Sequence, residues 1–144
     1  MSRHGQLFAG LVAPGIDDIE ALARAALAAL PAPFADWMRD VVLQVSDFPD
    51  DEVIAGMELD SPFDILGLYH GTAVGEKSSG DLAPVPDMIF LYRRPILDYW
   101  ADSDDSLGDI VAHVLVHEVG HHFGLSDADM EAIEARVGDS LDQN

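Results

Sequence analysis

Residues 117–121 form the motif His-Glu-x-x-His, which contains the residue types needed for hydrolysis by a bound metal ion. Side chains four positions apart lie on one face of a helix, so the imidazoles of His117 and His121 can converge on one zinc ion. Glu118 lies to the side of that pair, where its carboxylate can take a proton from a water molecule on the metal. The motif therefore predicts zinc-assisted hydrolysis with Glu118 as the general base.

A catalytic zinc ion normally has three protein ligands, so the two histidines need a partner. Gly124, three residues after His121, allows the helix to end in a left-handed turn that brings the following chain back towards the metal. Asp127, six positions after His121, is the predicted third ligand. Glu131 and Glu134 are alternative third ligands, because a glutamate on a following helix supplies that ligand in other zinc sites.

The remaining histidines and the tyrosines are weaker candidates for the site. His113 lies one turn before His117, and we interpret it mainly as a core residue or a residue behind the ligands, with ligation as the alternative. His122 points to another side of the helix, and His70 follows a predicted strand and is a candidate to line the site. Three residues could supply a hydroxyl that stabilises an oxyanion: Tyr69, Tyr92 and Tyr99.

The motif lies on a segment that is apolar on most sides, which predicts a helix in the middle of a domain. We expect Asp104 or Asp105 to cap this helix and Gly124 to end it. After Asp127, apolar residues at helical spacing predict a short terminal helix in which Met130 packs in the core.

Three runs of β-branched and aromatic residues predict strands, at residues 41–45, 65–69 and 88–92. A first amphipathic helix is predicted from Ile16 to Leu30, where Pro31 stops it, and helical turns are predicted near 34–38 and 99–100. The segment 71–87 is rich in Gly, Ser and Pro and is predicted to be a loop. This order of elements predicts one α+β domain over residues 1–144, with a small, mostly antiparallel or mixed sheet packed on helices.

Composition excludes several classes of function. The chain has 27 acidic and 7 basic residues and a net charge of -20, a field that repels phosphate backbones and anionic lipid surfaces, so we expect neither nucleic acid nor membrane partners. With no cysteine, any metal must be held by histidines and carboxylates. No apolar stretch approaches a membrane span, and acidic residues follow the short apolar run near the N-terminus, so we expect a cytoplasmic protein without a signal peptide, monomeric by default.

The segment H-E-V-G-H-H-F-G-L-S-D resembles the extended zinc signature of metzincins, with Asp127 where most metzincins have a third histidine. It more closely resembles small bacterial zincin-like metallopeptidases with the motif HExxHxxGxxD. The segments D-I-L-G-L-Y-H-G and P-D-M-I-F-L-Y-R-R-P-I extend this resemblance over most of the chain after residue 60. The resemblance implies a minimal zincin fold, with the active-site helix beneath a small sheet.

Two hypotheses of function follow from these patterns. The first is a zinc-dependent peptidase that hydrolyses a peptide or protein substrate, with the strand M-I-F-L-Y binding an extended peptide along its edge. The second is a non-catalytic zinc-binding protein with the same fold, because the segment after Asp127 is short compared with that of larger zincins. A metal-free acidic interaction domain is the third and weakest interpretation. His and carboxylate ligands also suit divalent metals other than zinc.

Overall fold

The computed structural model describes residues 3–71 and 87–142, and these form an α+β arrangement. The predicted loop 71–87 lies almost entirely outside the described residues. Within them, helices and strands follow one another along the chain as α1 (Arg3–Phe8), α2 (Ile16–Ala28), α3 (Phe34–Trp37), β1 (Val42–Ser46), α4 (Asp51–Gly56), β2 (Gly67–His70), β3 (Met88–Tyr92), α5 (Arg93–Ala101), α6 (Leu107–Phe123) and α7 (Asp127–Asp142).

The described strands form a three-stranded mixed sheet in the order β1-β3-β2. Strand β3 pairs in parallel with β1, with Leu43 opposite Ile89, and antiparallel with β2, with Tyr69 opposite Ile89. The strand M-I-F-L-Y is therefore central and has both edges paired. The expectation that it binds a peptide along its edge is wrong, because its backbone hydrogen-bonding groups are already used by its neighbours.

Helix α6 is the central helix of the domain and contacts α2, α5, α7 and strand β2. Its apolar residues are buried, as the sequence predicts for a helix surrounded by other elements. The fully buried core side chains come from α2, β3, α5, α6 and α7, and the largest are Ile19, Ile89, Leu91, Ile96, Leu115, Met130, Val111, Val116, Val119, Val137 and Pro95.

Capping residues define where α6 begins and ends. Ser106 caps the N-terminus, because its side chain accepts a hydrogen bond from the amide of Asp109 at 3.1 Å. The expectation of a cap at Asp104 or Asp105 is wrong by one or two residues. At the other end Gly124 has φ 68° and ψ 31°, the left-handed conformation that the sequence predicts.

Helix α7 runs back along α6 after this turn. Met130 lies against Gly120, and four residues further along α7 Glu134 contacts His113, which is seven residues earlier on α6. A Cβ atom on residue 120 would overlap the Met130 side chain, so the glycine is what allows α7 to approach this closely. Met130 is buried, which confirms its predicted core role.

Other elements differ from the sequence predictions in length. Helices α1 and α4 are not predicted, and α5 begins at Arg93 directly after β3, although a Pro follows at position 95. Proline is tolerated in a first helical turn because its missing amide has no partner within the helix there. Helix α7 has 16 residues and is not short, because burial of its apolar face against α6 extends it beyond the pattern seen in the sequence.

None of the helices in the described ranges is both long enough and apolar enough to cross a membrane.

Candidate metal centre

The two histidines of the motif lie one turn apart on the same helix, with ring centroids 6.1 Å apart and rings at 90° to each other. Two imidazoles that share a tetrahedral zinc ion have centroids roughly 5 Å apart, given zinc–nitrogen distances of about 2.0–2.1 Å. His117 is half-buried and His121 is exposed. The observed separation is about 1 Å longer than that value, so the His121 ring would have to move for both histidines to bind one ion.

Glu118 is held by the sheet. Its Oε2 accepts a hydrogen bond of 3.0 Å from the backbone amide of Tyr69, in the edge strand β2. Burial raises the pKa of the Glu118 carboxyl, while the Tyr69 amide and the charge of His121 act against that rise. A carboxylate with a raised pKa is a better proton acceptor near neutral pH than an exposed one.

The environment of His117 favours the neutral imidazole. Burial lowers the pKa of His117, and the neighbouring His113 and His121 lower it further, while the charges of Glu134 and Asp127 act in the opposite direction. A neutral imidazole has a free lone pair for a metal ion. Asp127 is thus close enough for its charge to act on His117.

One group of potential ligands comes together within the described residues, and it differs from the predicted set. Ligand atoms of His113, His117 and Glu134 all lie within 4.8 Å of one another. The structure does not bring His121 and Asp127 into that group, and both are exposed.

Of the two alternative third ligands, Glu134 lies in this group and Glu131 does not. The side chain of Glu134 bonds His113, whose Nδ1 lies 2.8 Å and 2.9 Å from the two carboxylate oxygens. His113 is exposed, so the interpretation of it as a core residue is wrong. Its bond to Glu134 links α6 to α7.

A second polar group lies around Tyr69, the residue whose amide bonds Glu118. The ring of His122 stacks on Tyr69 with centroids 4.0 Å apart and an angle of 14°. The Tyr69 hydroxyl donates to Asp87 Oδ2 at 3.3 Å, and His122 Nε2 lies 3.9 Å from the same oxygen. Burial and Asp87 raise the pKa of the Tyr69 hydroxyl above its usual range. These contacts fix the residue whose amide holds Glu118.

Sequence reasoning missed this arrangement. Tyr69 was a candidate only for its hydroxyl, yet its contact with Glu118 is through the main chain and spans 49 positions of sequence. Nothing in the local pattern around either residue could have signalled that pairing.

The remaining candidates are not members of the group of three ligands. Tyr92 is buried, and burial raises the pKa of its hydroxyl, with smaller contributions from Asp50 and Glu118. Tyr99 is exposed on α5, and His70 is exposed at the end of β2.

A groove of 630 Å³ runs beside the first half of α6. Its wall includes His113, Glu134, Glu131 and Tyr99, and it ends one turn short of His117. The histidines of the motif are therefore next to the groove and do not line it.

The donor set fits zinc. It offers imidazoles and carboxylates in the absence of cysteine, which are ligand types of catalytic zinc sites. Together with the half-buried Glu118 beside the histidines, these features are consistent with the class of metal-dependent hydrolases.

The chain belongs to the family of zincin-like metallopeptidases, whose family model matches residues 38–137. This match covers strands β1 to β3, helix α6 and most of α7, and it bears out the resemblance and the minimal zincin-like fold expected from the sequence. A search of curated proteins gave no match.

Proposed function

We propose that this protein is a zinc-dependent peptidase in which His117, His121 and Asp127 hold the metal and Glu118 is the general base. The observation that carries the proposal is the placement of Glu118. It follows directly after His117 on α6, it is half-buried, and the amide of Tyr69 holds its carboxylate. The hydrogen bond fixes the carboxylate beside His117, which is the position that proton transfer from a metal-bound water requires.

Two considerations bear on the choice of His121 and Asp127, and not His113 and Glu134, as the ligands that join His117. The pKa of Glu118 responds to the charge of His121, so the general base lies close to that end of the histidine face. Gly124 turns the chain so that Asp127 begins α7 where its charge still acts on His117, although the charge of Glu134 acts on His117 more strongly.

Bound zinc would polarise the scissile carbonyl and lower the pKa of a water molecule beside it. Glu118 accepts a proton from that water while the water oxygen forms a bond to the carbonyl carbon. When the carbon–nitrogen bond breaks, Glu118 donates the proton to the departing amine. One water is consumed, and a carboxyl and an amine are formed.

Strand β2 is the element that we propose to bind the peptide substrate. The amide of Tyr92 donates to the carbonyl of Leu66 at 3.0 Å, so Leu66 faces β3. By alternation, the backbone groups of Gly67 and Tyr69 face away from β3. The outward direction of the Tyr69 amide agrees with its hydrogen bond to Glu118. The outer edge of β2 therefore lies beside Glu118. The Tyr69 amide is already bonded to Glu118, so an extended peptide would pair with the backbone groups of Gly67 and the carbonyl of Tyr69 and run past Glu118.

Glu118→Gln tests the mechanism, because it keeps the shape and the contact with Tyr69 but removes the proton acceptor. We expect the variant to bind zinc as the wild type does and to lose at least about 100-fold in turnover, the lower range of a general-base contribution. The assay is the cleavage of a diverse peptide library followed by mass spectrometry. Glu52→Gln, an exposed carboxylate on α4, is the matched control and should cleave as the wild type does.

Each outcome bears on a different hypothesis. Cleavage by Glu118→Gln at the wild-type rate would overturn the mechanism. Zinc binding without cleavage by the wild type would favour the non-catalytic zinc-binding protein. The absence of zinc binding by the wild type would overturn both.

A further inference from the structure

Helix α6 has three histidines on one face, not two. His113, His117 and His121 are spaced four residues apart, so they follow each other along the helix at one turn intervals. The ring centroids are 4.1 Å apart for His113 and His117 and 6.1 Å apart for His117 and His121. His117 is the middle member and has a histidine neighbour on either side.

Helix α7 supplies a carboxylate near each end of this face. Asp127 lies at the start of α7, and its charge raises the pKa of His117. Glu134 lies about two turns later and bonds His113. The close contact of Met130 with Gly120 keeps the two helices near enough for Glu134 to reach His113.

The first half of this face already has the arrangement of a metal site. Ligand atoms of His113, His117 and Glu134 lie within 4.8 Å of one another. The His113 and Glu134 side chains are 52% and 30% exposed, and they form part of the wall of the 630 Å³ groove, so an ion and its water molecules have a path from solvent. Two imidazoles and one carboxylate are ligands that suit zinc and neighbouring divalent transition metals.

We propose that His113, His117 and Glu134 form a second position for a divalent transition metal, one helical turn before the motif. This proposal rests on the proposed function only in that both positions use His117. Because they share that ligand, the two positions compete for a single ion. An ion in the second position is displaced away from His121 along the helix and leaves His121 without a metal.

A half-exposed His–Glu ion pair is the ordinary alternative, and such a pair adds little stability. The two explanations differ in what they predict when His121 is removed. A simple ion pair binds no zinc, whereas the second position keeps all three of its ligands.

The test is zinc titration by calorimetry of the full chain carrying His121→Ala, with far-UV circular dichroism to verify folding. We expect one zinc ion per chain, bound more weakly than by the wild type. Adding His113→Ala or Glu134→Gln to His121→Ala should weaken that binding at least about tenfold, because a direct ligand contributes no less than an outer-shell partner. Adding Glu131→Gln, which removes the same charge from the same groove, should change it less than about twofold.

A second measurement detects the ligand directly in the same variant. The ring nitrogens of His113 should shift in ¹⁵N-edited NMR spectra of His121→Ala as the first equivalent of zinc is added. Unchanged His113 signals, the absence of zinc binding by His121→Ala, or equal effects of Glu131→Gln and Glu134→Gln would each overturn the second position. If the wild type binds zinc and His121→Ala does not, only the second position is overturned. If the wild type binds no zinc, the proposed function is overturned as well.

Discussion

The two ends of the histidine face of α6 differ in how they are built. At the N-terminal end, His113 is bonded through Nδ1 to both carboxylate oxygens of Glu134, at 2.8 Å and 2.9 Å. At the C-terminal end, His121 and Asp127 are exposed, and their ligand atoms do not join the group of three. His117 lies between the two ends and is common to both.

This difference separates local from long-range determinants of the site. The C-terminal end depends on short-range sequence features, namely the spacing of the two histidines and the turn at Gly124. The N-terminal end depends on helix packing, because Glu134 reaches His113 across 21 positions of sequence. A motif search finds the first kind of arrangement, and a structure is needed to find the second.

The largest expected effect is that of His117→Ala, because this residue serves both ends. We expect zinc binding to weaken by more than about 100-fold, beyond the roughly 10- to 100-fold loss seen when an outer-shell partner is removed. Calorimetric titration with zinc measures this. His70→Ala, an exposed histidine at the end of β2, should bind zinc as the wild type does. Tight zinc binding by His117→Ala would show that the two ends do not share a ligand.

Gly120→Ala should have an intermediate effect, because the added methyl group forces the buried Met130 side chain, which packs between α7 and α6, out of its position. The added methyl group would overlap Met130, and overpacking of this kind costs about 1–3 kcal/mol in the free energy of unfolding. Gly138→Ala is the control on α7, since a Cβ at that position meets nothing within 4 Å. It should be neutral or stabilise by up to about 1 kcal/mol. Urea unfolding of both variants gives the comparison, and equal stability of the two would contradict the close packing of α6 and α7.

The smallest effect concerns the pH dependence of stability in the metal-free protein. Burial raises the pKa of Glu118 in the folded state, so this group binds its proton more tightly there than in the unfolded chain. The contribution of this proton binding to the free energy of unfolding is fully present below the ordinary glutamate pKa of about 4.3. It is lost as the pH rises through the raised pKa of the folded state.

Wild type should therefore lose stability relative to Glu118→Gln as the pH rises over that range. Urea unfolding in the presence of a chelator at several pH values measures the difference. A difference that is constant with pH, or that changes in favour of the wild type as the pH rises, would contradict the raised pKa.

Sequence patterns predicted those parts of the fold that depend on local chemistry. Strand β3 matches residues 88–92, and the left-handed conformation of Gly124 follows from the need of a helix end for a residue without a Cβ atom. The α+β class and the zincin-like family are also borne out. These features depend on a few neighbouring residues, which is why one sequence was enough.

Features that depend on pairing between distant segments were not predictable in the same way. The central position of β3 depends on which strands find each other, and a run of apolar residues is equally consistent with an edge strand or a central one. The bond between Tyr69 and Glu118 likewise depends on the register of β2 against α6. The predicted ligands His117, His121 and Asp127 and the role of Glu118 stay predictions until a metal is located.

X-ray diffraction at the zinc absorption edge, from crystals grown with less than one equivalent of zinc, tests the central claim most directly. The anomalous signal locates the ion without any assumption about its ligands. We predict one peak bounded by His117 and His121, with Asp127 as the nearest carboxylate of α7 and Glu118 beside the ion. A peak away from His117, or no peak on this face of α6, would contradict the proposed metal centre.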